Sequence, residues 1–289
     1  MRRLLVRPGA IGDCLTCFPA MDYLCAGFTE VWIPSALVPL VQFADRVQAL
    51  PDTGLDLLGL GDGDPPARLR ERLASFDSIV SWYGSNRPGF REAALHLNTN
   101  WRFFPALPTS GDAIHATDFF ARQAGAPMGL APCIEISKEP TRGEAIIHPF
   151  SGSKRKNWPF HRFEELARWL KLPVAWTAGP EEELPQAQRF DNPLSLAKFM
   201  AGANLFIGND SGPTHLAAAI GVPTIALFGA SDPQVWAPRG KNVTVVCGAS
   251  MEAIEVDDVL RAIDRVLCET SGAPTRKPIL DAPGNSNGR

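Results

Sequence analysis

The sequence predicts an α/β fold made of two parallel-sheet domains that face each other across a cleft. Short apolar runs alternate with longer amphipathic segments, as expected for parallel sheets that are covered by helices on both faces. The alternation stops at residues 125–143, where proline and glycine are frequent, and then restarts. A cleft between two such domains is a usual place for a ligand.

The first half of the chain supplies the N-terminal domain, which we predict to cover residues 1–130. A helix is expected after the loop Pro8–Asp13. The other predicted elements are the strands Leu4–Val6, Val31–Ile33, Ser78–Trp82 and Leu95–Leu97, and the helices Ala67–Ala74 and Ile114–Ala124.

The second half repeats the alternation after a linker predicted at residues 131–143. We predict a C-terminal domain over residues 144–270 and a disordered tail over 271–289, which is rich in Gly, Pro and Asn. The predicted strands are Ala145–His148, Val174–Ala178, Leu205–Ile207, Thr224–Phe228 and Val243–Val246, and the predicted helices are His161–Leu170, Glu181–Phe190, Leu196–Ala201, Thr214–Ile220 and Val256–Leu267.

Composition narrows the classes of function. The chain has 289 residues, of which 45% are hydrophobic, and a formal net charge of -3, which gives no electrostatic reason to expect a nucleic-acid partner. Its six cysteines are too few for a disulfide scaffold, so we expect a reducing, cytoplasmic setting. No apolar run reaches the ~18–20 residues of a membrane span, so any contact with a membrane is expected to be peripheral.

A polar cluster stands where a buried strand gives way to a helix, in the stretch FIGNDSGPTHLAAAIG (206–221). Ser211 suits a helix N-cap and Pro213 the first turn, so capping alone could explain both residues. A helix start at the carboxyl end of a parallel strand is also where amides and the helix dipole favour a phosphate. Asp210, Ser211 and Gly212 are therefore candidate ligand residues, and His215 either faces the same anion or packs in the core.

A second candidate loop follows the strand that ends at His148, in HPFSGSKRKNWPFHRF (148–163). Ser151 and Ser153 bring hydroxyls, the small residues let backbone amides approach a ligand, and Lys156 adds positive charge, which together suit a diphosphate. The Walker pattern GxxxxGK[ST] is absent. A solvated basic loop is the alternative.

Two further loops carry carboxylates at predicted strand ends. Gly9, Gly12 and Asp13 lie in RPGAIGD, where Asp13 either caps the next helix or acts as a general base facing the cleft. Glu181 follows a strand in AGPEEE, where it either suits a helix first turn or accepts hydrogen bonds from ribose hydroxyls. The five histidines lack ligand spacing, so we expect no protein-held metal and no cofactor.

Four of these stretches resemble glycosyltransferase family 9, the ADP-heptose:lipopolysaccharide heptosyltransferases and their relatives. They are RPGAIGDCLTCFPAM (7–21), HPFSGSKRKNWPFHRFEELA (148–167), AGPEEE (178–183) and GNDSGPTHLAAAIGVPTIALFGASDPQVWAP (208–238), whereas residues 40–140 match poorly. The resemblance implies a GT-B architecture, in which two Rossmann-like domains hold the donor on the C-terminal side and the acceptor on the N-terminal side.

The resemblance also implies a role for each candidate residue. Asp13 corresponds to the proposed catalytic base, with Gly9 and Gly12 in the acceptor-side loop, and Glu181 corresponds to the ribose-binding position. The remaining positions fall around the donor diphosphate and sugar: Ser151, Ser153, Lys156, Asp210, Ser211, Gly212 and His215.

We therefore expect an inverting, metal-independent transferase that moves a sugar, with heptose favoured, from a nucleotide-diphosphate donor such as ADP-heptose to a lipopolysaccharide-core or related glycan acceptor. Three alternatives stay open. One is a nucleotide-sugar-binding module without transfer activity, and another is a different GT-B enzyme, such as a protein glycosyltransferase or a sugar-nucleotide epimerase. The third, a nicotinamide-dependent oxidoreductase, is disfavoured because GxGxxG is missing.

Overall fold

A computed structural model describes residues 1–59, 65–109, 114–137 and 140–271 of the chain. These residues form two five-stranded sheets in which every strand pair is parallel. The predicted α/β class is thereby confirmed. Among the described residues, no helix has the length and apolar content needed to cross a membrane.

The first sheet has the strand order β3-β2-β1-β4-β5. Its strands are β1 (Arg2–Val6), β2 (Phe28–Ile33), β3 (Arg46–Ala49), β4 (Ser78–Ser81) and β5 (Trp101–Phe103), and its helices are α1 (Ile11–Tyr23), α2 (Ala67–Ala74), α3 (Pro88–Leu97) and α4 (Ala116–Ala124). The chain runs outward from β1 on one side, through β2 to β3, and then returns to add β4 and β5 on the other.

The second sheet has the strand order β10-β9-β8-β6-β7. Its strands are β6 (Ala145–His148), β7 (Val174–Trp176), β8 (Leu205–Asn209), β9 (Thr224–Phe228) and β10 (Val243–Cys247), and the helices are α5 (Phe160–Trp169), α6 (Pro193–Met200), α7 (Gly212–Ala219), α8 (Pro233–Trp236) and α9 (Val256–Ser271). The connection reverses direction between β6 and β8, which places a topological switch point there.

Alternating side chains of each strand divide the core into layers. Leu4 and Val6 pack with the α2 and α3 side of the first sheet, whereas Leu5 packs with α1 on the opposite side. The cluster around α1 continues through α4, α6 and α7 to Ile146 and Phe206 of the second sheet. One continuous apolar core therefore joins the two sheets, and α5 and α9 cover the far side of the second.

Two predicted elements are wrong. Leu95–Leu97 is the end of α3, because Phe90 and Ala94 continue its buried stripe at helical spacing, and the strand instead lies at Trp101–Phe103. Residues 181–190 form turns rather than a helix. Pro185 lacks the amide that a helix would need there, and Gln188 instead bridges to Thr177 as in a parallel sheet.

The structure adds a strand that the sequence pattern did not predict and leaves some boundaries untested. Strand β3 is short and only half-buried, so its residues show no apolar run. The described part of the predicted linker has no helix or strand, and the domain limits stay a prediction. The predicted tail lies outside the described residues, apart from Ser271 at the end of α9.

Candidate functional site

The candidate site lies at the carboxyl ends of the parallel strands, where the loops after β6, β8 and β9 come together. Its centre is Asp210, the first residue after β8, whose side chain is buried. The Lys156 ammonium from the loop after β6 donates to Oδ2 of Asp210 at 2.6 Å. On the other side of the carboxylate, Nε2 of His215 lies 3.8 Å from Oδ1.

A serine that sequence reasoning did not single out completes this cluster. The hydroxyl of Ser231, in the loop after β9, donates to Oδ2 of Asp210 at 2.5 Å. Burial raises the pKa of Asp210, but the neighbouring His215 ring and the hydrogen bonds from Lys156 and Ser231 outweigh it and lower the pKa from 3.8 to about 2. Asp210 is therefore ionised at neutral pH and forms an ion pair with Lys156.

Asn209 explains why a polar residue ends a buried strand. Its carboxamide accepts a hydrogen bond from the backbone amide of Trp158 at 3.0 Å and donates to the carbonyl of Pro149 at 2.8 Å. Asn209 thereby ties both ends of the loop 149–158 to β8. This loop holds Lys156, so a buried side chain sets the position of the lysine.

The two predicted serines of that loop have different surroundings. The Ser151 hydroxyl lies 2.8 Å from the carbonyl of Ser153 and 2.7 Å from Oδ1 of Asn157, so it already has partners inside the loop. Ser153 is half-exposed and stands at the N-cap of the 3₁₀ turn Lys154–Lys156. The Ser151 hydroxyl is therefore engaged in holding the loop together, which favours Ser153 as the serine that meets a ligand.

The acidic stretch after β7 places two neighbouring glutamates differently. Glu181 is exposed, whereas Glu182 accepts a hydrogen bond from the amide of Gly179 at 2.5 Å and is half-buried. Oε2 of Glu182 also lies 3.9 Å from Nε2 of His148, at the end of β6. Burial raises the pKa of Glu182, so the carboxylate built into this edge of the sheet is Glu182.

His148 is a buried neutral histidine beside that carboxylate. Its Nδ1 lies 3.2 Å from the hydroxyl of Thr177. Burial lowers the pKa of His148 from 6.5 to about 4, and the contact with Thr177 opposes this only in part. His148 therefore carries no charge at neutral pH.

The first turn of α7 meets the first turn of α1 from the other domain. A Cβ atom added at Gly212 would lie 2.8 Å from Cβ of Ile11, and one added at Gly12 would lie 3.2 Å from Cδ2 of His215. The side chain of Ser211 is buried and its hydroxyl lies 3.1 Å from that of Thr214. The helix start predicted as an anion seat is thus flanked by Ile11, and Gly212 itself stays half-exposed.

Asp13 lies one residue beyond Gly12, in the same turn. Its Oδ2 accepts the backbone amide of Ala10 at 3.2 Å, which is the capping role weighed in the sequence. Gly9 has φ 123°, and a Cβ atom there would lie 3.0 Å from Cβ of Asp13, so a side chain at this position would be strained and crowded. Asp13 is half-exposed and stands beside the Asp210 cluster through Gly12 and His215.

Arg7 holds the loop that carries Asp13, and no sequence pattern identified it as a residue of the site. It is 1% exposed, and its guanidinium donates to the carbonyls of Ala106 at 2.9 Å and Asp13 at 2.6 Å. Its guanidinium carbon also lies 4.6 Å from the ring centroid of Phe120. An arginine that follows an apolar strand reads as a surface charge in a sequence, which is why no pattern identified it.

The cluster combines a lysine, half-exposed backbone at a helix start, and a carboxylate on the facing helix. Such an arrangement can hold an anion and, beside it, accept a proton.

Cys14 and Cys17 are not reactive candidates, because burial raises the pKa of each thiol to about 12. Over the described residues, no group of three or more His, Cys, Asp or Glu side chains is arranged to hold a metal ion.

Comparison with known proteins points to one family. Residues 130–262 match the model of glycosyltransferase family 9 (heptosyltransferase). Lipopolysaccharide heptosyltransferase 1 of Salmonella typhimurium is 29% identical over 117 residues, which are 35% of this chain and 37% of that protein. The chain thus spans about a third of the length of the curated relatives it matches.

Solved structures extend the likeness of fold to nearly the whole chain. The ADP-heptose LPS heptosyltransferase II of Escherichia coli superposes with a TM-score of 0.72 at 17% identity, covering 94% of this chain and 100% of that one. Escherichia coli heptosyltransferase WaaC with ADP gives a TM-score of 0.65 at 16% identity, covering 92% and 100%. These matches establish the GT-B fold. The C-terminal half of the chain is, in addition, similar in sequence to glycosyltransferase family 9, whose model matches residues 130–262.

Proposed function

We propose that this protein is an inverting, metal-independent glycosyltransferase. It transfers a sugar, with heptose favoured, from a nucleotide-diphosphate donor such as ADP-heptose to a lipopolysaccharide-core or related glycan acceptor. One observation carries the proposal: the turn that bears Asp13 is packed, through Gly12, against His215 of the Asp210–Lys156 cluster. A carboxylate and an anion-binding cluster from different domains thus stand side by side.

The donor side would stabilise the leaving group. The Lys156 ammonium has three donors, and Asp210 accepts one of them, so the others are free to meet the diphosphate. Ser153 and the backbone of the half-exposed Gly212 add neutral donors around the same anion. Negative charge grows on the departing nucleoside diphosphate, and donors already in place stabilise that charge most effectively.

The acceptor side would supply the base. Asp13 takes the proton of the acceptor hydroxyl while that oxygen forms its bond to the anomeric carbon and the bond to the diphosphate oxygen breaks on the opposite face. Configuration at the anomeric carbon inverts in such a step. General-base assistance contributes about 10²–10⁴-fold.

Substitution of the two central residues tests these roles. Asp13→Asn should lower transfer about 10²–10⁴-fold while binding of ADP, measured by calorimetry, is kept. Lys156→Ala should instead weaken ADP binding by about tenfold or more, because a charge-assisted hydrogen bond is lost. The matched controls are Asp22→Asn on the exposed side of α1 and Lys171→Ala, which should behave like the parent.

Metal independence, stereochemistry, substrate identity and membrane contact are each tested by a separate measurement. Activity should survive EDTA if no metal takes part, and NMR of the product should show the inverted anomeric configuration. A panel of ADP-, GDP- and UDP-sugars with lipid-linked and protein acceptors identifies both substrates, and hydrolysis or epimerisation without transfer would contradict a transferase. Binding of a nucleotide without turnover by any acceptor would indicate a binding module instead. Fractionation with inner-membrane vesicles tests a cytoplasmic protein that contacts the membrane peripherally.

A further inference from the structure

The loop after β9 brings one side chain, Ser231, into the Asp210 cluster. The hydroxyl of Ser231 and the ammonium of Lys156 both donate to Oδ2 of Asp210, at 2.5 Å and 2.6 Å. The other oxygen, Oδ1, faces His215. The carboxylate is therefore held from three different segments of the second domain, and the β9 segment contributes only a neutral donor.

The backbone around Ser231 is held firmly. A Cβ atom at Gly229 would lie 2.4 Å from the backbone of Ser250 and Met251, so glycine lets these two segments touch. On the other side of Ser231, the side chain of Asp232 accepts the amide of Gln234 at 2.8 Å and caps α8. Ser231 thus stands between two anchored points and is well suited to hold another group in place.

The carboxylate needs that help because it is buried. Asp210 is 7% exposed, so a missing donor leaves a lone pair of a charged and largely buried oxygen unpaired. Lys156 is the more exposed partner, with 37% of its side chain accessible, and its long chain can adopt several rotamers. A lysine of this kind takes its direction from the carboxylate that it pairs with.

We propose that Ser231 is a positioning residue for the donor diphosphate, which rests on the proposed function. By holding Oδ2 of Asp210 in one orientation, the Ser231 hydroxyl directs the ammonium of Lys156 toward the diphosphate. Without that hydroxyl, only Lys156 and His215 face the carboxylate, which can then turn about its last bond, and Lys156 follows it or closes over both oxygens. The lysine is then withdrawn from the ligand, whereas Asp13 on the facing helix is unaffected.

Kinetics separate this role from a merely structural one. Ser231→Ala should raise the KM for the nucleotide sugar about tenfold and lower kcat by a smaller factor. Ser231→Thr keeps the hydroxyl and should restore most of the loss. The control is Ser75→Ala at the end of α2, which also removes a hydroxyl that donates, at 2.7 Å, to the carbonyl of Arg72, and should change neither constant.

The pH profile gives a second readout. Lys156 and His215 are the titratable groups that face Asp210, so loss of the Ser231 donor removes a neutral stabiliser of the carboxylate. The acid limb of kcat/KM for the donor should move to higher pH in Ser231→Ala and return in Ser231→Thr. A variant whose KM and acid limb equal those of the parent overturns the inference, as does a fall in kcat alone.

Crystal structures of the parent and Ser231→Ala keep the inference testable if the proposed function fails. If calorimetry detects no nucleotide binding to the parent protein, the proposed function is contradicted. The role of Ser231 is then tested only by the orientation of the Asp210 carboxylate in the two crystal structures. The inference expects Asp210 turned, or Lys156 bound to both of its oxygens, in Ser231→Ala. An unchanged carboxylate with Lys156 at its parental distance refutes it, whatever the activity.

Discussion

The ring of His215, in the second domain, lies directly against Gly12, in the first. A Cβ atom at Gly12 would lie 3.2 Å from Cδ2 of His215, so the two helices approach as closely as they do because residue 12 has no side chain. Gly12 precedes Asp13, and His215 faces Asp210. Together with the contact of Ile11 at Gly212, this contact therefore sets the separation between the proposed base and the proposed donor site.

Gly12→Ala should separate activity from stability. Alanine suits the first turn of α1 better than glycine does, by up to about 1 kcal/mol. The added methyl group nevertheless has to displace the His215 ring by a few tenths of an ångström, which moves Asp13 away from the cluster. We expect transfer to fall about tenfold, because small misplacements of reacting groups are costly, while the midpoint of urea unfolding is unchanged or rises.

The chain offers a matched control for this substitution. Gly89 occupies the same second position in the first turn of α3, and a Cβ atom there would meet only the carbonyl of Gly59, at 3.8 Å. Gly89→Ala should therefore leave transfer unchanged. Equal activity of Gly12→Ala and the parent would show that the contact with His215 does not set the geometry of the site.

His148 makes the free energy of unfolding depend on pH. Its pKa is about 4 in the folded protein and near 6.5 in the unfolded chain, because burial disfavours the charged ring. The unfolded chain therefore binds the extra proton first as the pH falls. The contribution of His148 to the free energy of unfolding is fully present above pH ~6.5, and up to about 3 kcal/mol of it is lost as the pH falls to ~4.

Urea unfolding of His148→Gln and the parent between pH 7 and 4 measures this contribution. The parent should lose stability relative to His148→Gln across the interval, since glutamine does not titrate. His161→Gln on the exposed side of α5 is the control and should follow the parent at every pH. Parallel curves for the parent and His148→Gln would mean that His148 is not held neutral by burial.

The site residues that could be predicted from the sequence are those that lie together in one continuous stretch of chain. Asp210, Ser211 and Gly212 could be predicted, because an apolar strand, a polar turn and a helix stand together in one stretch of chain. Ser231 could not, because it is 21 positions away and reaches Asp210 only when β9 lies beside β8. Motif spacing reports the residues of one loop, whereas the cluster is built from three.

The fold shows the same division. The long apolar strands β8 and β9 are buried along their whole length, so they are clear in the sequence. The edge strand β3 is only half-buried, and it is decided by neighbours elsewhere in the chain. At residues 181–190 the composition is otherwise helical, but Pro185 opposes a helix and the segment forms turns. In these turns Glu182 is half-buried and Glu181 is exposed, and the ribose-binding role of Glu181 stays a prediction.

Arg7→Lys should destabilise the protein although it keeps the charge. The planar guanidinium donates to two carbonyls, those of Ala106 and Asp13, and lies over the ring of Phe120. An ammonium group cannot reproduce that fork, so one buried carbonyl loses its partner. We expect a cost of about 2–3 kcal/mol in urea unfolding. Arg68→Lys, at an exposed position of α2, is the control and should cost nothing measurable.

An ion pair between Arg239 and Asp118 joins the two domains. Arg239, which follows α8, donates to both oxygens of Asp118 in α4, at 2.6 Å to Oδ1, and this pairing lowers the pKa of Asp118. Nearby, Nε2 of His115 lies 2.8 Å from the carbonyl of Ala237. Helix α4 packs on α1, so the pair links the second domain to the helix that carries Asp13.

Removing this link should loosen the domains and not only lower stability. Arg239→Ala should cost about 1–2 kcal/mol, because a partly buried, two-point ion pair is lost. Hydrogen exchange should also accelerate in α4 and in the segment 125–137. The exposed pair Arg261–Asp258 is the control, since Arg261→Ala removes a pair that is mostly screened by solvent and should cost under about 0.5 kcal/mol. If Arg239→Ala and Arg261→Ala are equally mild and exchange in α4 does not change, the apolar core shared by the two sheets is sufficient to hold the domains in register.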